Sequence, residues 1–150
     1  MLYNYGTLLI YSNRFEEAQE VLSNALSLGK RQLREDDEME IDLEEDKGNE
    51  TELDPIRIQL AYLAVCRGNR AEAEKILNSV LSHPATSKVI TTIASSNLIA
   101  ARGCVEIADG LKRIKSISVD TFSKLTESQQ DAIRFNKAIL LLLMNRVSSQ

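Results

Sequence analysis

Small residues recur in this chain at one fixed interval. Gly6 and Ala18 stand twelve positions apart, and Leu22 and Ala25 follow at four and then three further positions. Ala61, Ala73, Leu77 and Val80 repeat that spacing 55 residues later. Each series runs through two apolar stretches of helical period, separated by a polar break: "SNR" (residues 12–14) in the first copy, "RGNR" (67–70) in the second. The spacing therefore predicts two helical hairpins of equal length. Small side chains let paired helices approach closely, and the bulky residue fills the space between them. A period of this size has to be tested as a repeat before any other fold is considered.

Further copies are weaker. In "VITTIASSNLIAARGCVEIADGLKRIKSI" the small residues Ser96 and Ala108 are again twelve apart, but the later positions then fall on Lys112 and Lys115, a poor match. "FNKAILLLLMNR" (135–146) echoes "YNYGTLLIYSNR" (3–14) without gaps, sharing Asn4/Asn136, Leu8/Leu140, Leu9/Leu141, Asn13/Asn145 and Arg14/Arg146. That echo makes residues 126–147 the first helix of another repeat, with Ala138 at the Gly6 position. Thr126 is its expected N-cap, with Gln129 three residues on. The run "AILLLLM" (138–144) reads as a buried helix, too short for a membrane span.

Charge is distributed unevenly. Residues 35–54 hold 12 of the 22 acids and one base, Lys47, for a charge of −11. The remainder carries +7 (17 minus 10). So acidic a stretch, poor in large apolar groups, is expected to be a disordered loop, closed by Asp54 as helix cap with Pro55 at the first helical position. It is compatible with a solubilising loop, an internal screen over basic patches, or a docking site for a basic partner. The expected organisation is one partial solenoid over 1–150, with hairpins at about 1–34, 55–84 and 86–117, a further repeat starting over 126–147, and the acidic loop at 35–54.

Enzyme chemistry finds no foothold. His83 is the one histidine and precedes Pro84 at an expected turn. There is no GxGxxG, P-loop, HExxH or GxSxG. Over half the acids lie in the acidic segment, where a preorganised acid/base pair could not be held. Cys66 and Cys104 lack metal-ligand spacing and read as free buried thiols of a reducing compartment. The N-terminus has no basic n-region, and Asn4 and Gly6 break its apolar stretch, so no signal peptide is expected. No catalytic residue, metal or cofactor is called for.

A binding surface fits better. The repeat spacing projects Tyr3, Thr7, Ile10 and Tyr11 from the first copy onto the open side of the first helices. Ile58, Tyr62, Val65 and Cys66 come from the second copy, and Ile93, Asn97 and Ala101 from the third. Such a groove is apolar, carries tyrosine hydroxyls, and suits an amphipathic helix or apolar peptide. The alternative for each residue is packing against a neighbouring hairpin. Basic clusters at Lys30, Arg31, Arg34 and at Lys112, Arg113, Lys115 raise a rival, direct RNA binding. No interleaving of aromatic and basic residues supports base stacking.

The small-residue spacing is that of a tetratricopeptide repeat. "QLAYLAVCRGNRAEAEKIL", the acidic insert, "IASSNLIAARG" and "QQDAIRFNKAILLLLMNR", in this order, resemble the tetratricopeptide domain of the signal recognition particle's 72-kilodalton subunit family, from Tyr3 to Arg146. The resemblance implies an all-α, right-handed solenoid of helical hairpins with a disordered acidic insertion. It implies a cytoplasmic, non-enzymatic scaffold that grips the particle's 68-kilodalton subunit, in a particle that delivers ribosomes to the endoplasmic reticulum. It also implies that particle RNA is contacted through regions beyond the repeats, with no small-molecule substrate and no membrane insertion. On this reading the chain is part of a longer protein, with Gly6, Ala18, Leu22, Ala25, Ala61, Ala73, Leu77, Ser96, Ala108 and Ala138 as repeat-packing residues. A generic cytosolic tetratricopeptide adaptor is the second reading.

Overall fold

The computed structural model describes residues 1–39 and 49–149, and the described residues form helices joined by short turns, without strands. The chain divides into two compact units, Met1–Thr86 and Ser87–Gln150.

The first unit consists of two hairpins. Helix α1 (Leu2–Tyr11) pairs with α2 (Phe15–Met39), and α3 (Asp54–Cys66) pairs with α4 (Arg70–Ser82). Helix α2 also packs against α3. The two polar breaks form the same turn. At the first, the amides of Ser12, Asn13 and Arg14 donate to the carbonyls of Leu8, Ile10 and Leu9; at the second, those of Arg67, Gly68 and Asn69 donate to Leu63, Val65 and Ala64. The middle residue is left-handed in both, Asn13 at φ 57° and Gly68 at φ 78°, the conformation that glycine and asparagine tolerate best. Asn69 then caps α4, its side chain accepting from the Glu72 amide.

The core of this unit comprises Leu9, Ile10, Ala18, Leu22, Leu60 and Leu63, with Tyr3, Phe15, Val21, Leu26, Ile56 and Ile76 packed against it. The repeat-packing residues Gly6, Ala18, Leu22, Ala25, Ala61, Ala73, Leu77 and Val80 are all buried. The loop expected over 35–54 is helical at both flanks: α2 continues to Met39, and Asn49–Leu53 forms a 3-10 helix. The rest of that expected loop, residues 40–48, lies outside the described residues. Asp54 is not the helix cap; the cap position is Leu53, without a side-chain cap bond, and Pro55 sits in the first turn. The Asp54 side chain is buried instead, where it pairs with Arg57 (3.0 Å) and accepts from the Thr86 hydroxyl (3.2 Å).

The second unit contains α5 (Lys88–Arg102), α6 (Ile107–Lys115), the short α7 (Val119–Ser123) and α8 (Glu127–Ser148). Its core is Ile99, Leu111, Ile114, Leu125, Ile133 and Leu140. Ser96 is buried, and its carbonyl and hydroxyl both accept from the Asn136 side-chain amide (3.2 and 3.1 Å), which ties α5 to α8. Thr126 and Gln129 form the expected capping box at the start of α8.

Three expectations fail in this unit. Ala108 is exposed, and the buried small residue of α6 is Gly110, where an added Cβ would lie 2.9 Å from Leu140 Cδ1. The cause is a shift of two residues. From the small residue, α5 runs one residue further than α1 and α3 do, and its turn, residues 103–106, has four residues where the earlier turns have three. Gly110, Ile114 and Ile117 then take the positions assigned to Ala108, Lys112 and Lys115, so the two lysines face water. Ala138 is likewise exposed, and of the run "AILLLLM" only Leu140 is buried.

Candidate protein-binding surface

In the first unit, α1 and α3 present the residues assigned to the groove, but they divide into two sets. Ile10 and Ile58 are buried and act as core residues, and Tyr3, Thr7 and Val65 are half-buried. Tyr11, 75% exposed, Tyr62 and Cys66 remain open to solvent. The open side of these two helices is therefore narrower than the spacing implies, and it is centred on two tyrosines.

Local geometry explains this surface. Tyr62 and Cys66 are one helical turn apart on α3, so they share a face. The Tyr62 hydroxyl is held above the usual phenol range, first by partial burial and then by the neighbouring Cys66 and Tyr11. The phenol thus stays neutral, an apolar ring with one hydroxyl at its edge, which suits an interface residue. Gln59, one turn before Tyr62, donates from Nε2 to the Tyr3 hydroxyl (3.3 Å) and fastens α3 to α1 across 56 residues of sequence. Gln59 is not among the residues that the repeat spacing projects onto the open side; its three-residue separation from Tyr62 is the signal that places both on one face of α3. Thr7 is inward-bonded, its hydroxyl donating to the Tyr3 carbonyl (3.0 Å).

In the second unit Ala101 is buried, Ile93 packs on the core, and Asn97 is half-buried. None of the three is fully exposed.

His83 is half-buried at the turn after α4, and its Nδ1 accepts from the Ala85 amide (3.4 Å). Cys66 and Cys104 are free thiols as expected, but exposed rather than buried. No cluster of metal-ligating side chains occurs among the described residues, and no described helix is long and apolar enough to cross a membrane. Of the basic residues, Arg113 is held by Asp109 (2.7 Å), Lys124 by Asp120 (2.8 Å) and Arg134 by Asp131 (2.9 Å). Lys30, Arg31 and Arg34 are exposed on α2, and Lys112 and Lys115 on α6.

No family model matches the chain, and no solved structure gives a significant match. Curated proteins do. The signal recognition particle subunit SRP72 of Caenorhabditis elegans is 33% identical over 147 residues, which is 97% of this chain and 22% of that protein. The SRP72 subunits of Canis lupus familiaris and Homo sapiens are each 29% identical over 147 residues, 97% of this chain and 21% of theirs. The chain spans about a fifth of the length of these relatives. Along nearly its whole length, then, the chain is related to the signal recognition particle subunit SRP72.

Proposed function

We propose that this chain is a tetratricopeptide-like scaffold segment of the signal recognition particle, working in the cytoplasm in cotranslational targeting to the endoplasmic reticulum membrane. In this role it holds the particle's 68-kilodalton subunit, and any contact with particle RNA is made by other regions. The observation that carries the reading is the similarity to SRP72 over 97% of the chain. The paired hairpins α1–α2 and α3–α4, with small residues buried at matched intervals, support a scaffold. The residues of the open surface, Tyr11, Tyr62 and Cys66, include no cation to meet a phosphate, which supports recognition of a polypeptide more than of nucleic acid.

Co-purification of the full chain with the C-terminal part of the 68-kilodalton subunit tests the proposal, and no complex at micromolar concentration would refute it. The double substitution Tyr11→Glu, Tyr62→Glu is expected to weaken the complex about tenfold or more, since tyrosine is enriched among the few interface residues that each cost about 1 kcal/mol or more when removed. Helical circular dichroism should be retained, because both rings are exposed. Unchanged affinity would remove the two tyrosines from the interface while leaving the particle assignment standing.

A further inference from the structure

A cleft between α5 and the segment that runs from the end of α6 into α7 lies wholly within the second unit. Its open space is about 260 Å3, just below the roughly 300–1,000 Å3 of sites that take drug-sized ligands. Six of its nine lining residues carry hydroxyl groups, two are the cations Lys88 and Arg113, and one, Ile117, is apolar; no acid lines it. The wall from α5 follows from helical spacing, because Lys88, Thr91 and Ser95 fall three and four residues apart on one face. The opposite wall is the polar connection at residues 116–118, with Arg113 before it and Thr121 after it.

Some of these donors are committed and others are not. Thr92 donates to the Lys88 carbonyl (2.8 Å) and Ser116 to the Arg113 carbonyl (2.6 Å). Ser118 and Thr121 share one bond between their hydroxyls (2.9 Å), so one proton of that pair is left to donate. The hydroxyls of Thr91 and Ser95 make no hydrogen bond to any described residue. Two acids stand near the cleft, and each has a cation bonded to it. Asp109 takes Arg113 Nε (2.7 Å), which leaves both terminal amino groups of that guanidinium. Asp120 takes Lys124 (2.8 Å) and also senses the charge of Lys88, which forms no salt bridge among the described residues.

Unspent donors and positive charge converging on one cavity suit an oxyanion, whose oxygens accept hydrogen bonds. A cation would meet no carboxylate in this lining, and an apolar helix would meet only Ile117. An RNA strand needs a track of cations along its backbone and rings for its bases, whereas the lining offers two cations and no ring. A terminal phosphate concentrates roughly two charges and three acceptor oxygens on one phosphorus, so it can meet both cations and several hydroxyls at once. We propose that this cleft binds a phosphomonoester group, free or esterified, held by Lys88 and Arg113 and oriented by the hydroxyls of Thr91, Ser95 and the Ser118–Thr121 pair.

Amide chemical shifts of the full chain test this, titrated at low ionic strength with inorganic phosphate and separately with N-acetyl-phosphoserine amide. Changes are expected to cluster at residues 88–95 and 113–121. Clustering with both probes supports a site that accepts an esterified phosphate; clustering with inorganic phosphate alone supports a site for the free anion. Lys88→Ala is expected to weaken binding about tenfold and Ser95→Ala about threefold. Neither side chain is buried, so the melting temperature should hold. Replacing Lys30 and Arg31 together by Ala removes two exposed cations of the first unit and should leave affinity unchanged. The proposal is overturned if neither probe moves these amides, if Lys88→Ala leaves affinity as it was, or if the Lys30 and Arg31 control weakens binding as much as Lys88→Ala does. It is equally overturned if an oligouridine at the same phosphate concentration binds this cleft more tightly than either probe, since the cleft would then serve nucleic acid.

Discussion

Gly6 lies against Leu22 so closely that a methyl group added to the glycine would fall 2.6 Å from both Cγ and Cδ2 of the leucine. This contact sets the distance between α1 and α2. Two effects oppose each other when Gly6 is replaced by Ala. Helix propensity favours alanine by about 1 kcal/mol, whereas overpacking costs about 1–3 kcal/mol. Leu22 is fully buried and cannot swing away, so the clash wins. Gly6→Ala is expected to destabilise the chain by about 1 kcal/mol, and by no more than about 2 kcal/mol, in urea unfolding. In the background of Leu22→Ala the same substitution should become neutral or stabilising; additive effects would show that the contact does not govern the pairing.

Asp54 is buried, with its carboxylate shared between Arg57 and the Thr86 hydroxyl. Asp54→Ala leaves a partly buried guanidinium without this partner, for an expected loss of about 1–3 kcal/mol. Thr86→Val should cost less, because Arg57 still serves the carboxylate. Equal losses from the two substitutions would contradict this order.

The capping box of α8 gives a local prediction. Thr126→Ala removes the acceptor for the Gln129 amide and is expected to cost about 1 kcal/mol. Amide exchange at the start of α8 should accelerate, while the α1–α4 unit should be unaffected. Faster exchange spread evenly over both units would argue against a local cap.

Acid stability has a defined sign. Asp109 is held below the usual carboxylate range, chiefly by the hydrogen bond from Arg113 Nε and also by the charges of Arg113, Arg102 and Lys112, against the opposing effect of burial. A lowered folded value contributes stability above the unfolded pKa of about 4, and that stability is lost as pH falls through the folded value. Asp109 is partly exposed, so its contribution is at most about 1 kcal/mol. Between pH 6 and pH 2, Asp109→Asn should flatten the fall in unfolding free energy. An unchanged pH profile would exclude this linkage; Asp120, lowered by Lys124, supplies a background of the same sign.

Much of the first unit could be read without coordinates. Twelve-residue separation, a bulky residue four further on and a polar break between helices located both hairpins and their buried small residues. This worked because the two turns have the same length and the same bonding, so the register of the second helix follows from that of the first. The third hairpin shows the limit. With left-handed Glu106 (φ 58°) and a four-residue turn, the same rule points to Ala108, while the chain buries Gly110.

The candidate surface was only half visible for a related reason. Helical period groups Ile10 with Tyr3 and Thr7, and Ile58 with Tyr62 and Val65, yet it does not say how far a neighbouring helix reaches across the group. Leu60 and Leu63 join Ile10 in the core, and Tyr11 and Tyr62 stay outside.

Sequence alone determined that the chain is helical, where the turns inside its first two hairpins fall, and which small residues are buried there, because these are properties of spacing along one polypeptide. Tertiary structure alone decided that Leu140 is covered while Phe135, Ile139 and Leu142 are not, and that Asp54 binds Thr86 instead of capping its own helix. Burial is a relation between distant segments, and the same apolar helix is core or contact surface according to what packs against it.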